Sequence, residues 1–242
     1  MILLTVCRKW DMVEGKDKKG ERKYEKILSF FLCCLMVLTL TGCGGSSGDD
    51  ISNYTYSSEL DIKNLDSSDA DDQCPLRAIH AVIDGLMKTD KKGNITYGIA
   101  KSEEVSEDGL VHTYKLRKDV RWDNGDLVTV HDFVYAWQRI FKKKGSYYYM
   151  FADGIASIQG AQELSDKIDA GEELTDDDLN SMGVKALDGY TLEVKTTVRV
   201  SFLDELLAFP PFYPINEKFA EKQGSKYGNC LLYTSDAADD RI

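Results

Sequence analysis

An α+β fold is the expectation for this chain of 242 residues, and two kinds of local pattern carry it. Two stretches alternate apolar and polar residues around a turn signal. They are Ala100–Val105 with Leu110–Leu116, across Glu107-Asp108-Gly109, and Val184–Val194, across Asp188-Gly189. Alternation puts successive side chains on opposite faces of a strand, and Asp-Gly suits the tight turn of a hairpin. A third stretch has helical spacing instead. Thr129 can cap a helix with Asp132 three residues on, and Phe133, Val134, Trp137, Ile140 and Phe141 then fall on one face. No internal repeat or low-complexity segment interrupts these patterns.

Taken in order, Asn53–Ser58 has the β-rich composition of a first strand. Asp66–Gln73 is polar loop with four aspartates. Pro75 to Met87 has helical spacing at Leu76, Ile79, Val82, Ile83 and Leu86, and Pro75 suits a first turn. Lys91-Lys92-Gly93-Asn94 is a turn, and the first hairpin follows. From Leu116 to Phe141 the chain reads as a strand end, a turn at Asp123-Asn124-Gly125, a short extended piece and the capped helix. Basic residues and Gly145 end that helix. The aromatic run Tyr147–Phe151 comes next, then an amphipathic helix over Ile158–Ala170 and a second capping box at Thr175–Asp178. After the second hairpin, Phe202–Leu207 starts a helix that Phe209-Pro210-Pro211 stops, and Glu217–Gln223 is a last short helix.

The two ends differ from the middle. A basic run from Lys16 to Lys26, the apolar stretch Ile27–Leu40 and the small residues after it describe a secretory signal over residues 1–42, with Met12 an alternative start. The apolar run is short for a membrane helix, which needs ~20 residues. Leu40-Thr41-Gly42-Cys43 resembles the bacterial lipobox, which implies diacylation of Cys43 as the mature N-terminus. Two or three acyl chains suffice for stable anchoring where one does not. Residues 43–52 then form a lipidated Gly/Ser/Asp tether. At the other end, CLLYTSDAADD resembles the translated read-through of a transposon-based sequencing adapter. Residues 230–242 are therefore expected to be foreign to the protein, which leaves residues 53–229 as a folded region cut short.

Composition narrows the function classes. The whole chain carries a formal charge of −11, and residues 43–229 carry 21 Lys+Arg against 33 Asp+Glu. Nucleic-acid binders need a basic face to neutralise phosphates, so that class is excluded. Of six cysteines only Cys74 lies outside the signal, the lipid site and the suspected foreign tail, which leaves no disulfide framework and no metal-spaced pair. No nucleophile elbow, phosphate-cradling glycine loop or calcium-loop spacing occurs, and Asp176–Asp178 lacks the glycine of such a loop. His80, His112 and His131 have no spaced Cys, His or Glu partners and read as structural, with Asp132 better explained as a capping residue than as a partner of His131. No catalytic residue, cofactor or metal is implied. A binding role is favoured by the Tyr147–Phe151 cluster, because tyrosine offers an apolar face plus a hydroxyl.

KLRKDVRWDNGDLVTVHDFVYAWQR, GVKALDGYTLEV and the Asp84-Gly85-Leu86 that ends the first helical pattern resemble the peptide-binding extracellular solute-binding proteins of ABC importers. Val130 stands where that family has a small residue, and Asp84 where it has Glu; the likeness extends more loosely from about Ser58 to Gly228. The resemblance implies the N-terminal part of a two-lobed periplasmic-binding-protein-like fold, with mixed β-sheets and packed helices, the second lobe missing. It further implies a lipoprotein on the extracytoplasmic face of the bacterial cell membrane. Such a protein binds oligopeptides as an added strand between lobes that close by hinge motion, and delivers them to permease and ATPase subunits. In the family a tyrosine in the region of Tyr147 and Tyr148 lines the cleft, and an acid near Asp71 or Asp72 faces the ligand. Core filling is the alternative for the tyrosines, and is expected for Met150 and Phe151. A solvated loop charge is the alternative for each aspartate. A dipeptide, nickel complex, sugar or signalling peptide remains open as ligand, and a lipid-anchored hydrolase is the rival class. The family's acid for the peptide amino group lies in the second lobe, so no residue here takes that role.

Overall fold

The computed structural model describes residues 62–229 and 232–234. The signal, Cys43, the tether and the first strand at Asn53–Ser58 lie outside the described residues. Within them the order is α1 (Gln73–Val82), β1 (Met87–Thr89), β2 (Ile95–Tyr97), β3 (Ala100–Val105), β4 (Val111–Leu116) and α2 (Val130–Lys142). A 3₁₀ turn at Tyr148–Phe151 follows, then α3 (Ala161–Asp169), α4 (Asp176–Asn180), β5 (Val184–Asp188), β6 (Thr191–Lys195) and α5 (Leu203–Leu207). A 3₁₀ turn at Pro210–Phe212, α6 (Glu217–Gln223) and a 3₁₀ turn at Gly224–Lys226 complete it.

Both hairpins form where alternation and Asp-Gly turns place them. They join through β4 and β6 into one four-stranded sheet of order β3-β4-β6-β5, and β1 and β2 make a separate ribbon. All pairs among the described strands are antiparallel. β4 and β6 turn His112, Tyr114, Leu116, Leu192 and Val194 inward, so the period-2 pattern becomes one buried face.

The core is built on α2. Its N-terminus has the expected capping box, with Asp132 Oδ2 accepting the Thr129 N–H at 2.8 Å. Phe133, Trp137 and Phe141 are fully buried, and each such side chain stabilises the fold by about 1.5–3 kcal/mol. Trp137 meets Phe151 and Phe212 edge-on at 5.7 and 5.8 Å, and Phe151 stacks on Phe212 at 4.3 Å. The indole N–H donates to the Phe212 carbonyl at 2.9 Å, so the polar edge of the buried ring is satisfied.

Some expectations shift, each for a packing reason. α1 begins at Gln73 because Asp72 caps it, and it stops at Val82, where Ile83 turns extended (φ −123, ψ 134). A Cβ on Gly85 would collide with the Leu207 carbonyl and the Tyr213 ring, so the chain passes there in close contact with α5, and Met87 enters β1 instead of prolonging the helix. α3 starts at Ala161, because Ile158 bridges to Thr196 across the sheet edge. Gly145 does not supply the left-handed residue that ends α2; Lys144 does (φ 52). Gly145 is required because any Cβ would strike the Ser68 carbonyl oxygen.

That approach locks the loop before α1. Asp66, expected in a polar loop, is buried and pairs with Arg139 at 2.6 Å, while Ser68 Oγ lies 2.9 Å from the same Arg139 nitrogen. The guanidinium also lies over the Tyr227 ring at 4.9 Å. Burial opposes the charge on Arg139, but Asp66 outweighs it and holds the guanidinium above its ordinary value. In the segment expected to be foreign, Thr234 bridges to Trp122 and its N–H donates to the Val82 carbonyl at 3.1 Å. These are mostly backbone bonds, which β-prone stretches of many sequences can supply.

Two outcomes follow from the buried charges. Arg139→Met should cost roughly 3–5 kcal/mol in chemical denaturation, because Asp66 stays buried without its counter-charge, and adding Asp66→Asn should recover part of the loss. The Asp132 carboxyl is pushed up to about 6 by burial, against hydrogen bonds from Thr129 and Trp122 that lower it. Its folded value exceeds its ordinary one, so its contribution is largest at acid pH and is lost as pH rises through about 6. Asp132→Asn, which still accepts the Thr129 N–H, should therefore gain on wild type by up to about 3 kcal/mol between acid and neutral pH, read from thermal midpoints across that range.

Candidate ligand-binding groove

Three separate segments converge at one end of the α2 core. α1 presents Leu76, Arg77 and His80 from one face, at helical spacing. The chain leaving α2 brings Tyr147, and the chain leaving α5 brings Phe209 and Pro210. Together they line a groove of about 440 Å³, with Glu205 of α5 at its wall. A larger hollow of about 650 Å³ lies between α2, α4 and α6, but it is walled by Lys142, Lys143, Asp176 and Glu221 and holds none of the residues expected to meet a ligand.

Tyr147 is half-buried, its ring packed edge-on against Phe209 at 6.0 Å and tilted against Tyr149 at 6.3 Å. Its hydroxyl is pushed up by burial first, then by Tyr149 and by the carboxylates of Asp71 and Asp72. Of the four expected residues, Tyr147 lines the groove, while Asp71 and Asp72 act on its hydroxyl only through their charge. Asp72 is partly committed, because its side chain caps α1 through the Cys74 N–H at 2.8 Å. Asp71 is exposed.

Tyr148 goes elsewhere. The 3₁₀ turn rotates it away, its hydroxyl donates to Asp169 Oδ1 at 2.6 Å, and its ring packs against Phe141 at 6.0 Å. It ties the turn to α3. Two neighbouring tyrosines diverge because a 3₁₀ turn advances each side chain by about a third of a revolution. Phe151 fills the core as expected, and Met150 packs partly buried against it.

His80 was expected to be structural, and it is structural while also lining the groove. Its Nδ1 lies 2.5 Å from the Tyr213 hydroxyl, which donates to the Ala208 carbonyl at 2.8 Å. The single hydroxyl proton is used on Ala208, so His80 Nδ1 carries the hydrogen it shares with Tyr213. Arg77, Glu205 and Phe209 were missed as groove residues. The helical face of Gln73, Leu76, Arg77 and His80 was visible as spacing, whereas Phe209-Pro210 signalled only a helix stop. The site offers an apolar floor, aromatic edges and one side chain of each charge, which suits a peptide side chain with its polar backbone alongside.

Residues 94–234 match the family described as bacterial extracellular solute-binding proteins, family 5 Middle. A dipeptide-binding protein of Lactococcus lactis is 32% identical over 192 residues, covering 79% of this chain and 33% of the relative. The periplasmic oligopeptide-binding protein OppA of Escherichia coli is 34% identical over 146 residues, covering 60% and 25%. Among solved structures, Listeria monocytogenes OppA bound to peptide is similar with a TM-score of 0.62 at 35% identity, over 71% of this chain and 33% of that one. The chain thus spans about a third of the length of these first relatives. With more than half of its residues matched, the chain belongs to the bacterial extracellular solute-binding proteins of family 5.

Proposed function

We propose that this chain is part of the substrate-binding lipoprotein of an ABC importer, which captures oligopeptides outside the cell and delivers them to the permease. Residues 1–42 direct export, and Cys43 carries the lipid that holds the protein at the extracytoplasmic face of the membrane. The observation that carries the reading is Tyr147 packed against Phe209 in the wall of an apolar groove, in a member of this family. The groove serves as the first-lobe wall of the peptide cleft. Tyr147 and Phe209 bracket a ligand side chain there, and the acids at the rim favour a basic neighbour. Binding without turnover is sufficient for this role.

Titration of the isotope-labelled chain with mixed pentapeptides at millimolar concentration tests this. Amide shifts should move at Arg77, His80, Tyr147 and Phe209 and stay still at Tyr148 and Asp169. Tyr147→Ala should abolish the response, whereas Tyr148→Phe should leave it and cost only about 0.5–1.5 kcal/mol of stability. A response confined to other surfaces, or one given equally by dipeptides, sugars or nickel complexes, would overturn the oligopeptide reading. Release of the protein from membranes by Cys43→Ala is the expected result for the anchor.

A further inference from the structure

Tyr147 touches two other rings, and only one of them belongs to the groove. Phe209 meets it edge-on with centroids 6.0 Å apart, and Tyr149 lies tilted against it at 6.3 Å. Phe209 and Tyr149 make no ring contact with each other among the described residues, so Tyr147 links them into a short ladder. Phe209 is part of the groove wall, whereas Tyr149 lies outside that lining and is 50% exposed.

An extended peptide repeats its side chains on one face every second residue, a spacing of ~6.6 Å. The two ring-to-ring steps of the ladder come close to that spacing. A ligand side chain bracketed by Phe209 and Tyr147 therefore has a neighbour two residues away that falls at Tyr149. Charge differs between these two stations. In the groove wall Arg77 and Glu205 carry opposite charges, and the floor of Leu76 and Pro210 suits an uncharged side chain. Around the Tyr147 hydroxyl the acting charges are the carboxylates of Asp71 and Asp72, and no cation opposes them. A tyrosine face attracts a cation through the ring quadrupole, and nearby carboxylates add to that attraction.

We propose that Tyr149 is a further specificity-determining residue, and that the site prefers extended peptides carrying an apolar side chain in the groove and a lysine or arginine two residues away, its cation over the Tyr149 ring. The inference rests on the groove being the peptide-binding wall proposed above. It adds the spacing and the charge that the ligand should have. The face of the ring carries the contact and the hydroxyl does not, so phenylalanine serves at this position and leucine fails. Because Tyr149 is exposed, the gain is modest, about two- to fivefold in affinity.

Two blocked pentapeptides of one composition test it, Lys-Ala-Phe-Ala-Lys and Ala-Lys-Phe-Lys-Ala, acetylated and amidated so that only the placing of the lysines differs. Titrated into the isotope-labelled full chain, the first should bind about two- to fivefold more tightly and move the ring signals of Tyr149 together with those of Tyr147 and Phe209. Glu-Ala-Phe-Ala-Glu, blocked in the same way, should bind more weakly than either. Tyr149→Phe should keep the preference between the isomers, and Tyr149→Leu should abolish it while Tyr147 and Phe209 still respond. The isomer comparison in the wild-type chain needs no variant to fold. Equal affinity of the two isomers, a glutamate peptide that binds as well as the first, or a preference that survives Tyr149→Leu would each overturn the role of Tyr149 and leave peptide binding at the groove intact. Peptides that move neither Tyr147 nor Phe209 would overturn both.

Discussion

The hydrogen bond from the Trp137 indole to the Phe212 carbonyl, 2.9 Å long inside the core, is the constraint on which the rest depends. It fixes the Pro210–Phe212 turn to α2, and the stack of Phe212 on Phe151 fixes the Tyr148–Phe151 turn to both. Tyr147 and Phe209 flank those two turns, and so each meets the other at the groove. A ring buried without a partner for its N–H would cost more than its packing returns at that edge. The shape of the groove is therefore inherited from an interaction one layer beneath it.

Charge is used in the interior in two different ways. Arg139 and Asp66 are a paired strut that draws the loop before α1 onto α2, and Gly145 makes room for that loop at Ser68. Asp132 instead holds a carboxyl where burial disfavours ionisation, at the cap of α2. Ionisation of the Asp132 carboxyl, as pH rises through about 6, removes its contribution.

The stretch from Leu116 to Phe141 carries the clearest family signature and touches no part of the groove. Its turn, cap and apolar face are requirements of folding, which explains why it is recognisable while saying nothing of a ligand. The groove is lined instead by residues on either side of it, at 76–80, 147 and 205–210, where local pattern is weak. The family was thus legible through the scaffold, and the groove was legible only at Tyr147.

By itself the sequence determined both hairpins, both capping boxes, the inward faces of α2 and β4, and the final helix at Glu217–Gln223, because each depends on bonds or periodicities spanning a few residues. Tertiary structure decided the rest. It ended α1 at Val82, since Gly85 had to pass against α5, and it buried Asp66, since Arg139 seventy-three residues away needed a partner. It separated Tyr147 from Tyr148, sending one to the groove and the other to Asp169. It also set Leu192 and Val194 of β6 beside His112 and Tyr114 of β4, joining the two hairpins into one sheet. Each of these is a contact between residues far apart in the chain, and no local pattern encodes which distant surface a side chain will meet.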